Sequence, residues 1–442
     1  MDERSPTGEI QPGAVDRLLR VFGDVRAGEG TRVLLMFLNI FVLLVGYYIL
    51  KTVREPLILV GGGAELKTYA SAAQALALVL YVPLYGWVAS RLPRQKLIVA
   101  VVLFFVACIQ LFFLGGQARL PHIGFAFFVW VGIFNLTMIA QFWSFANDIY
   151  SKPEGDRLFP LIAIGSTAGA PFGAAIADAL FSRGLSPYLL MQIAAGFIVL
   201  HLALYVAAMR GTSVEEPAPA PLPPGGGFSL VFRSRYLLLM AFLLVLLNVV
   251  NTTGEYILSR TVVATAQARA ALDPAFDQEA YVGHFYGEYL FAVSVLTILI
   301  QAFLVSRIVR YLGMGGVLFA LPLISFGAYG LVALGAGLAA IRWVKVGENS
   351  ADYSVMNTAK QMLWLPTTRE EKYKAKQAID TFFVRSGDLM AAAVVFAGTQ
   401  WLGLGVTGFA GVNLGVIGVW VVLGVLLLRE YRRLSAEAAG GS

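Results

Sequence analysis

The sequence predicts an all-α integral membrane protein with twelve transmembrane helices in two six-helix halves. Three observations lead to this prediction: apolar stretches recur along all 442 residues, only 14% of the residues are charged, and a Pro/Gly-rich segment divides the chain near its middle. About 20 apolar residues are enough for a helix to cross ~30 Å of hydrocarbon. Long apolar runs must be helical, because lipid offers the backbone no hydrogen-bond partners.

Apolar runs of the required length occur twelve times along the chain. The predicted spans are 31–51, 68–90, 97–115, 122–146, 159–182, 188–209, 236–258, 286–309, 314–332, 336–364, 378–402 and 406–428. We number these spans 1 to 12. Span 10 holds several charged residues, but its polar and apolar residues keep helical spacing, so we keep it as a predicted transmembrane helix.

The chain divides into an N-terminal segment (1–30), a six-helix bundle (31–210), a Pro/Gly-rich cytoplasmic linker (211–235), a second six-helix bundle (236–428) and a tail (429–442). This layout resembles the major facilitator fold, in which the substrate site lies between the two halves near the membrane midplane. The loop after span 2, GWVASRLPRQK, also resembles the G-x-x-x-D-R-x-G-R-R signature of that superfamily. The sequence therefore predicts a transporter.

The distribution of positive charge predicts how the protein is oriented. Most of the 33 Lys and Arg residues fall in the terminal segments and in the loops that follow even-numbered spans. Because basic loops are retained in the cytoplasm, both termini are expected on the cytoplasmic side of the membrane. The net charge of +6 therefore does not indicate a nucleic-acid partner. We expect a monomer in the lipid bilayer.

The sequence indicates neither an enzyme nor a cofactor or metal protein. The three histidines are scattered, and the lone Cys108 cannot form an internal disulfide. The glycine-rich GGGAE at 61–65 lacks the G-K-[ST] ending of a phosphate-binding loop.

Polar and charged side chains inside the spans are the candidates for substrate binding. A charge within a span costs at least ~2.5–3.5 kcal/mol on insertion scales, so it usually faces a partner or a wet cavity. Tyr47, Lys51 and Arg54 share one face of the segment YYILKTVREPL (47–57) that ends the first helix, since they lie three or four residues apart. The candidate substrate-binding residues are Tyr47, Lys51, Arg54, Trp143, Asn251, Glu255, Lys345, Tyr353, Lys360 and Arg385.

Each of these groups also has a structural interpretation. Lys51 can extend to the lipid headgroups, the polar face of span 7 can form interhelical hydrogen bonds, and the charges of span 10 can pair with one another. Span 4 carries Thr137 and Gln141 at helical spacing. This stripe is either the opposite wall of the cavity or a polar seam between helices.

Three segments resemble the nucleotide transporter family, the ATP/ADP antiporters of plastids and obligate intracellular bacteria. LKTVRE (50–55) and the following GAEL resemble the family's L-R-x-x-K-D and G-A-E. FWSFANDIYSKPEGDRLFPL (142–161) resembles F-W-x-F-A-N and R-F-Y-P-L. DYSVMNTAKQMLWLP (352–366) and KYKAKQAID (372–380) resemble the tenth helix and the segment after it. The resemblance implies exchange of nucleoside phosphates.

The sequence departs from the family at some positions and leaves other functions open. Asn357 and Gln361 stand where the family usually has acids, and Ala375 replaces a glycine. Transport of another organic anion is one alternative, and proton coupling through Glu255 is another. A lipid-handling or sensor protein with structural ion pairs is a third.

The loops after spans 4 and 10 occupy equivalent places in the two halves. We expect them to approach one another as a cytoplasmic gate when the inner side closes, because their charges are opposite. The predicted gate residues are Glu154, Asp156, Lys372, Lys374, Lys376 and Asp380.

Overall fold

The computed structural model describes residues 13–20, 24–210, 226–368 and 370–440, and it shows helices but no strand in those ranges. The helices are α1 Ala14–Leu19, α2 Gly30–Ala89, α3 Arg94–Gln117, α4 Ile123–Ile149, α5 Lys152–Phe181, α6 Pro187–Met209, α7 Gly227–Arg233, α8 Arg235–Leu272, α9 Gln278–Phe303, α10 Val305–Ala333, α11 Leu338–Ala351, α12 Asn357–Leu363, α13 Lys376–Ala378, α14 Val384–Gln400 and α15 Val406–Gly440. Three π-helical segments, Asp352–Met356, Glu371–Ala375 and Ile379–Phe383, connect helices in the second half.

The first long helix, α2, contains two predicted spans joined at a break. Gly63 has φ 73° and ψ −177°, a conformation that glycine adopts without steric cost. The break divides α2 into a first arm, 30–62, and a second arm, 64–89. Lys67, which the sequence analysis placed in the loop between spans 1 and 2, therefore lies inside the second arm.

Ten of the described helices are long and apolar enough to cross a membrane, and α2 counts once among them. The interrupted helix formed by α11, the π segment and α12 corresponds to predicted span 10 but is not among the ten. The predicted number of twelve spans therefore stays a prediction. A multi-pass all-α membrane protein is confirmed.

The segments predicted as the linker and the tail are partly helical where the structure describes them. Residues 211–225 of the predicted linker lie outside the described residues, and Gly227–Arg233 at its end forms α7. The last helix, α15, runs on to Gly440, so it includes most of the predicted tail.

Each half packs around its own apolar core. One cluster of buried residues runs from Leu19 to Ala208 and lies within the first half. The other is built mainly from Val231 to Leu427, with a few additions from the first half such as Ile58 and Ala174.

Glycines on α5 allow it to pack tightly on the first arm of α2. Gly165, Gly169 and Gly173 are spaced at four residues, and a Cβ at each would lie 2.5–2.6 Å from a backbone oxygen of that arm. Small residues at such spacing let membrane helices approach closely. This contact fixes the angle of the arm that carries Lys51 and Arg54.

Ion pairs near the helix ends identify the two sides of the bundle. Arg157 at the start of α5 lies 2.8 Å from Glu29, just before α2, and Arg235 at the start of α8 lies 3.6 Å from Glu430 in α15. We call this the terminal side, and the other the distal side. Burial alone raises the pKa of Glu29, but hydrogen bonds from Arg157 and from the Arg26 amide outweigh it and hold that pKa below its usual value.

The two halves contact each other closely on the distal side. A Cβ on Gly283 of α9 would lie 2.5 Å from the Phe181 ring, and one on Gly287 would lie 2.8 Å from Asp178. His284, between these glycines, lies 2.6 Å from the Asp178 carboxylate. The distal ends of α5 and α9 are therefore held together by both packing and polar contact.

Candidate functional site

A row of alternating charges crosses from the first half to the second. We call it the charge chain. Its members are Arg54, Glu55, Lys67, Glu255, Lys345 and Glu348.

The first half contributes three buried or nearly buried groups to the charge chain. Arg54 lies 2.8 Å from one oxygen of Glu55, and Lys67 lies 2.7 Å from the other. Lys67 also contacts the hydroxyls of Ser259 (3.0 Å) and Tyr286 (3.4 Å), which belong to the second half. The break at Gly63 turns the chain back and places Lys67 beside Glu55.

The second half continues the chain through Glu255. Its carboxylate lies 3.6 Å from Lys67 and 3.9 Å from Lys345, and it accepts hydrogen bonds from Tyr289 (3.0 Å) and Asn349 (2.9 Å). Two cations and two neutral donors together stabilise the ionised carboxylate.

The last two members of the charge chain, Lys345 and Glu348, form an ion pair. The ammonium lies 2.7 Å from Glu348 and 3.2 Å from Asn251, and only 1% of the side chain is exposed. Glu348 also accepts hydrogen bonds from Tyr329 and Ser325. Complete pairing is what allows such charges to be buried.

A cavity of about 180 Å³ opens beside the charge chain, and we call it the charged cavity. It is lined by four cations and three carboxylates, which leaves an excess of one positive charge. The charged lining residues are Lys51, Arg54, Lys67, Arg385, Glu55, Glu255 and Asp388. Asn251 and Tyr353 also line it, so six of the ten predicted binding residues meet here.

Lys51 differs from the other cations of the charged cavity. Its ammonium lies 5.1 Å from the Tyr48 ring centroid and 5.9 Å from that of Tyr353. No ion pair joins it to a carboxylate among the described residues. Since cation–π contacts are worth only ~0.5–1 kcal/mol at accessible sites, Lys51 retains most of its capacity to bind an anion.

A second cavity of about 430 Å³ adjoins the first, and we call it the aromatic cavity. Tyr47, Tyr48, Trp143 and Tyr353 line it, together with Asn135 and several hydroxyl side chains. Lys51 is the one charged group in this lining, and both Lys51 and Tyr353 border the two cavities. A ligand with an anionic end and an aromatic end could occupy both.

Two predicted binding residues lie away from the cavities. Lys345 is paired with Glu348 and lines neither cavity, and Lys360 lies 3.2 Å from Asp352.

The polar stripe on span 4 forms a seam with α2. Thr137 lies 2.9 Å from the Tyr81 hydroxyl, and Gln141 lies 2.9 Å from the Tyr85 hydroxyl. Of the two interpretations of that stripe, the structure shows the seam.

Three of the predicted gate residues bond to partners within their own half of the chain. Glu154 accepts a 2.7 Å hydrogen bond from the Ser151 amide, whereas Lys374 pairs with Glu370 at 2.9 Å and Lys376 with Gln361 at 3.1 Å. The remaining three gate residues, Asp156, Lys372 and Asp380, are exposed. Contact between the loops stays a prediction about a state closed on the terminal side.

Lys67, Tyr286 and Tyr289 belong to the site but were missed. Lys67 was assigned to the loop between predicted spans 1 and 2, because span 1 was expected to end at residue 51 and span 2 to begin at residue 68. The signal that points to it is Glu55, a carboxylate in the helix that continues from span 1, which needs a buried cation in addition to Arg54. Neither tyrosine has a charge or a spacing that distinguishes it from the other aromatic residues of the spans.

A bundle of two halves with a polar cavity enclosed between them defines a membrane transporter rather than an enzyme. Solved structures confirm the major facilitator fold. The nucleoside transporter NupG superposes with a TM-score of 0.65 at 14% identity, over 90% of this chain and 98% of that one. The peptide transporter PepTSo gives 0.63 at 12% identity, over 91% and 98%.

The family resemblance noted in the sequence is also confirmed. Residues 13–114 match the TLC ATP/ADP transporter family. The chain is 24% identical to ADP,ATP carrier protein 1 of Chlamydia trachomatis serovar D over 440 residues, covering 81% of this chain and 80% of the carrier. The carrier of the same name from Chlamydia pneumoniae is 24% identical, with 93% of each chain covered.

Proposed function

We propose that the protein exchanges nucleoside phosphates of the ATP/ADP type across a bacterial inner membrane by alternating access. The observation that carries this proposal is the junction of the charged and aromatic cavities at Lys51 and Tyr353. A nucleotide has the same two parts, an anionic phosphate chain and an aromatic base. The ADP,ATP carriers that resemble the chain support the same substrate class.

The phosphates would occupy the charged cavity. Arg54 can bind two oxygens at once through its planar guanidinium, while Lys51 acts as a point charge. Arg385 lies on the opposite wall, 3.6 Å from Asp388, and can turn toward the same ligand. Ion pairs are stronger in a poorly hydrated cavity than in water, so a few cations are enough for binding.

The nucleoside would occupy the aromatic cavity. Stacking a base on an aromatic side chain is worth ~1–3 kcal/mol, and Tyr47, Trp143 and Tyr353 are available. Ser166, Thr167 and Asn135 can hydrogen-bond to the ribose or base. A small organic anion without a ring would leave this cavity unfilled, so the cavity favours a nucleotide over the other anions.

Proton coupling through Glu255 receives less support. A proton-carrying carboxylate must be able to become neutral during the cycle, whereas Glu255 faces two cations and accepts two hydrogen bonds. These partners stabilise its charge.

The orientation rests on the distribution of basic residues, which places the terminal side in the cytoplasm. The halves are joined on the distal side, so we assign this conformation to a carrier open to the cytoplasm. Both cavities are lined by residues of a single chain, so a monomer is sufficient to form the site.

The test is uptake of labelled ATP into liposomes that contain the purified protein and are loaded with ADP. We expect uptake to be much faster than into empty liposomes and to be unchanged by an uncoupler. Loading with inorganic phosphate or with a dicarboxylate tests the smaller anions. Uptake that no internal nucleotide accelerates would overturn the proposal.

A further inference from the structure

We propose that Glu255 occupies the place of a substrate phosphate in the empty carrier and that its bond to Lys67 prevents the distal side from opening until a nucleotide displaces it. This inference rests on the proposed exchange of nucleotides. It explains why such a carrier would exchange its substrate rather than release it in one direction.

Glu255 is the most easily displaced member of the charge chain. Its distances to Lys67 and Lys345 are 3.6 and 3.9 Å, whereas Glu55 and Glu348 each hold a lysine at 2.7 Å. About a quarter of its side chain, 24%, is exposed to the cavity, compared with 3–4% for the other two carboxylates. An incoming anion therefore meets Glu255 first and can replace it without breaking the shorter pairs.

The bond from Glu255 to Lys67 also crosses between the halves. Lys67 belongs to the second arm of α2 and Glu255 to α8, and both line the charged cavity. A phosphate bound by Lys51, Arg54 and Lys67 would repel the Glu255 carboxylate at close range. Lys67 would then be neutralised by the ligand, and the ionic link between the halves at this level would be lost.

The consequence is a dependence of opening on the ligand. In the empty carrier the bond favours the state closed on the distal side. A bound nucleotide removes the bond and lowers the free energy needed to separate the two halves. A ligand can shift a conformational equilibrium only through such differential interactions.

Glu255→Gln tests this inference while preserving the shape of the site. The amide oxygen can still accept the hydrogen bonds from Tyr289 and Asn349, but the ionic bond to Lys67 is lost. Asp352→Asn is the matched control. Asp352 is also a carboxylate that becomes an amide, but it lines neither cavity, and its ion pair, with Lys360, lies within one half.

The first measurement is efflux of labelled ATP from loaded liposomes into medium with and without ADP. For wild type and Asp352→Asn we expect efflux to require external ADP. For Glu255→Gln we expect the ratio of efflux without ADP to efflux with ADP to rise about fivefold or more, as is typical when ligand and conformation are uncoupled. A wild-type ratio in Glu255→Gln would overturn the inference, whereas absence of exchange in the wild type would overturn the proposed function instead.

A second measurement applies even if Glu255→Gln does not transport. Spin labels at Leu120 and Leu334, which are 55% and 86% exposed and lie at the distal ends of the first and second halves, report opening in a Cys108→Ser background. In the wild type the distance should increase only when ATP is added. In Glu255→Gln it should already be longer without nucleotide. An unchanged short distance in that variant would refute the proposed role of Glu255.

Discussion

The cations of the site differ in what already neutralises them. Lys345 is bound to Glu348 and is almost fully buried, whereas Lys51 is partly exposed to both cavities and touches only aromatic rings among its described contacts. Removing one partner of a buried ion pair costs ~3–5 kcal/mol, because the other charge is left unpaired. The same chemical change should therefore affect stability at one lysine and binding at the other.

We predict that Lys51→Gln weakens ATP binding with little loss of stability, and that Lys345→Gln does the reverse. A charge-assisted hydrogen bond is worth ~1.5–3 kcal/mol, so the KM for ATP uptake should rise roughly 10- to 100-fold in Lys51→Gln. Thermal unfolding of the purified variants separates the two effects. A wild-type KM in Lys51→Gln, or a wild-type Tm in Lys345→Gln, would contradict this distinction.

Part of the site could be predicted from residue types and spacing. Tyr47, Lys51 and Arg54 were identified because charges are expensive in a span and because three- and four-residue steps share a face. Lys67 could not be placed in the same way, since its position depends on how sharply the chain turns at Gly63. The sequence also could not show that Lys345 faces Glu348 rather than the cavity, because both positions are compatible with one helix.

At the scale of the helices, the contact between α5 and α9 depends on two small residues. Gly283 and Gly287 lie one turn apart, and each faces a side chain of α5 at less than normal contact distance for a Cβ. His284 lies 3.0 Å from Ser182 and 2.6 Å from Asp178, so polar contacts reinforce the packing. Any residue larger than glycine at these positions must separate the helices or move their side chains.

We predict that Gly287→Leu shifts the protein toward the state open on the distal side. A Cβ there would lie 2.8 Å from the Asp178 Cα and Cβ atoms and 2.9 Å from its backbone nitrogen, which cannot give way without moving α5. Distances between spin labels at Leu120 and Leu334 should lengthen without nucleotide.

The matched control for this prediction is Gly327→Leu in α10, where a Cβ meets nothing within 4 Å. It should leave the distances unchanged. Equal distances in the two variants would mean that the glycine contact does not hold the distal side closed.

Sequence patterns predicted the helices better than their irregularities. Apolar length located the spans, because the membrane sets it directly. The polar stripe on span 4 was compatible with both a cavity wall and a seam, since either arrangement removes Thr137 and Gln141 from lipid. The π-helical segments within and after predicted span 10 have no pattern of their own in the sequence.

At the scale of the whole molecule, polar groups on the distal and terminal sides have different partners. On the distal side Tyr256 of the second half donates a 2.8 Å hydrogen bond to Glu65 of the first, and His284 contacts Asp178. On the terminal side Lys374 and Lys376 bond to residues of their own half. An alternating-access carrier requires the opposite arrangement in its other state, in which the terminal loops meet.

We predict that reversing Lys374 and Lys376 to Glu disfavours closure on the terminal side. Glu154 and Asp156 of the first half would then face like charges. Each exposed pair is worth only ~0.2–1 kcal/mol, but two reversals can shift an equilibrium whose states differ by a few kcal/mol.

Spin labels at Pro153 and Gln377, both exposed, should approach one another when ATP is added to the wild type but not to the double variant. Reversing Lys96 and Arg432, two exposed cations elsewhere on the terminal side, controls for the change in net charge and should leave the approach intact. If the double reversal and its control both close normally, the lysines serve only to retain their loop in the cytoplasm.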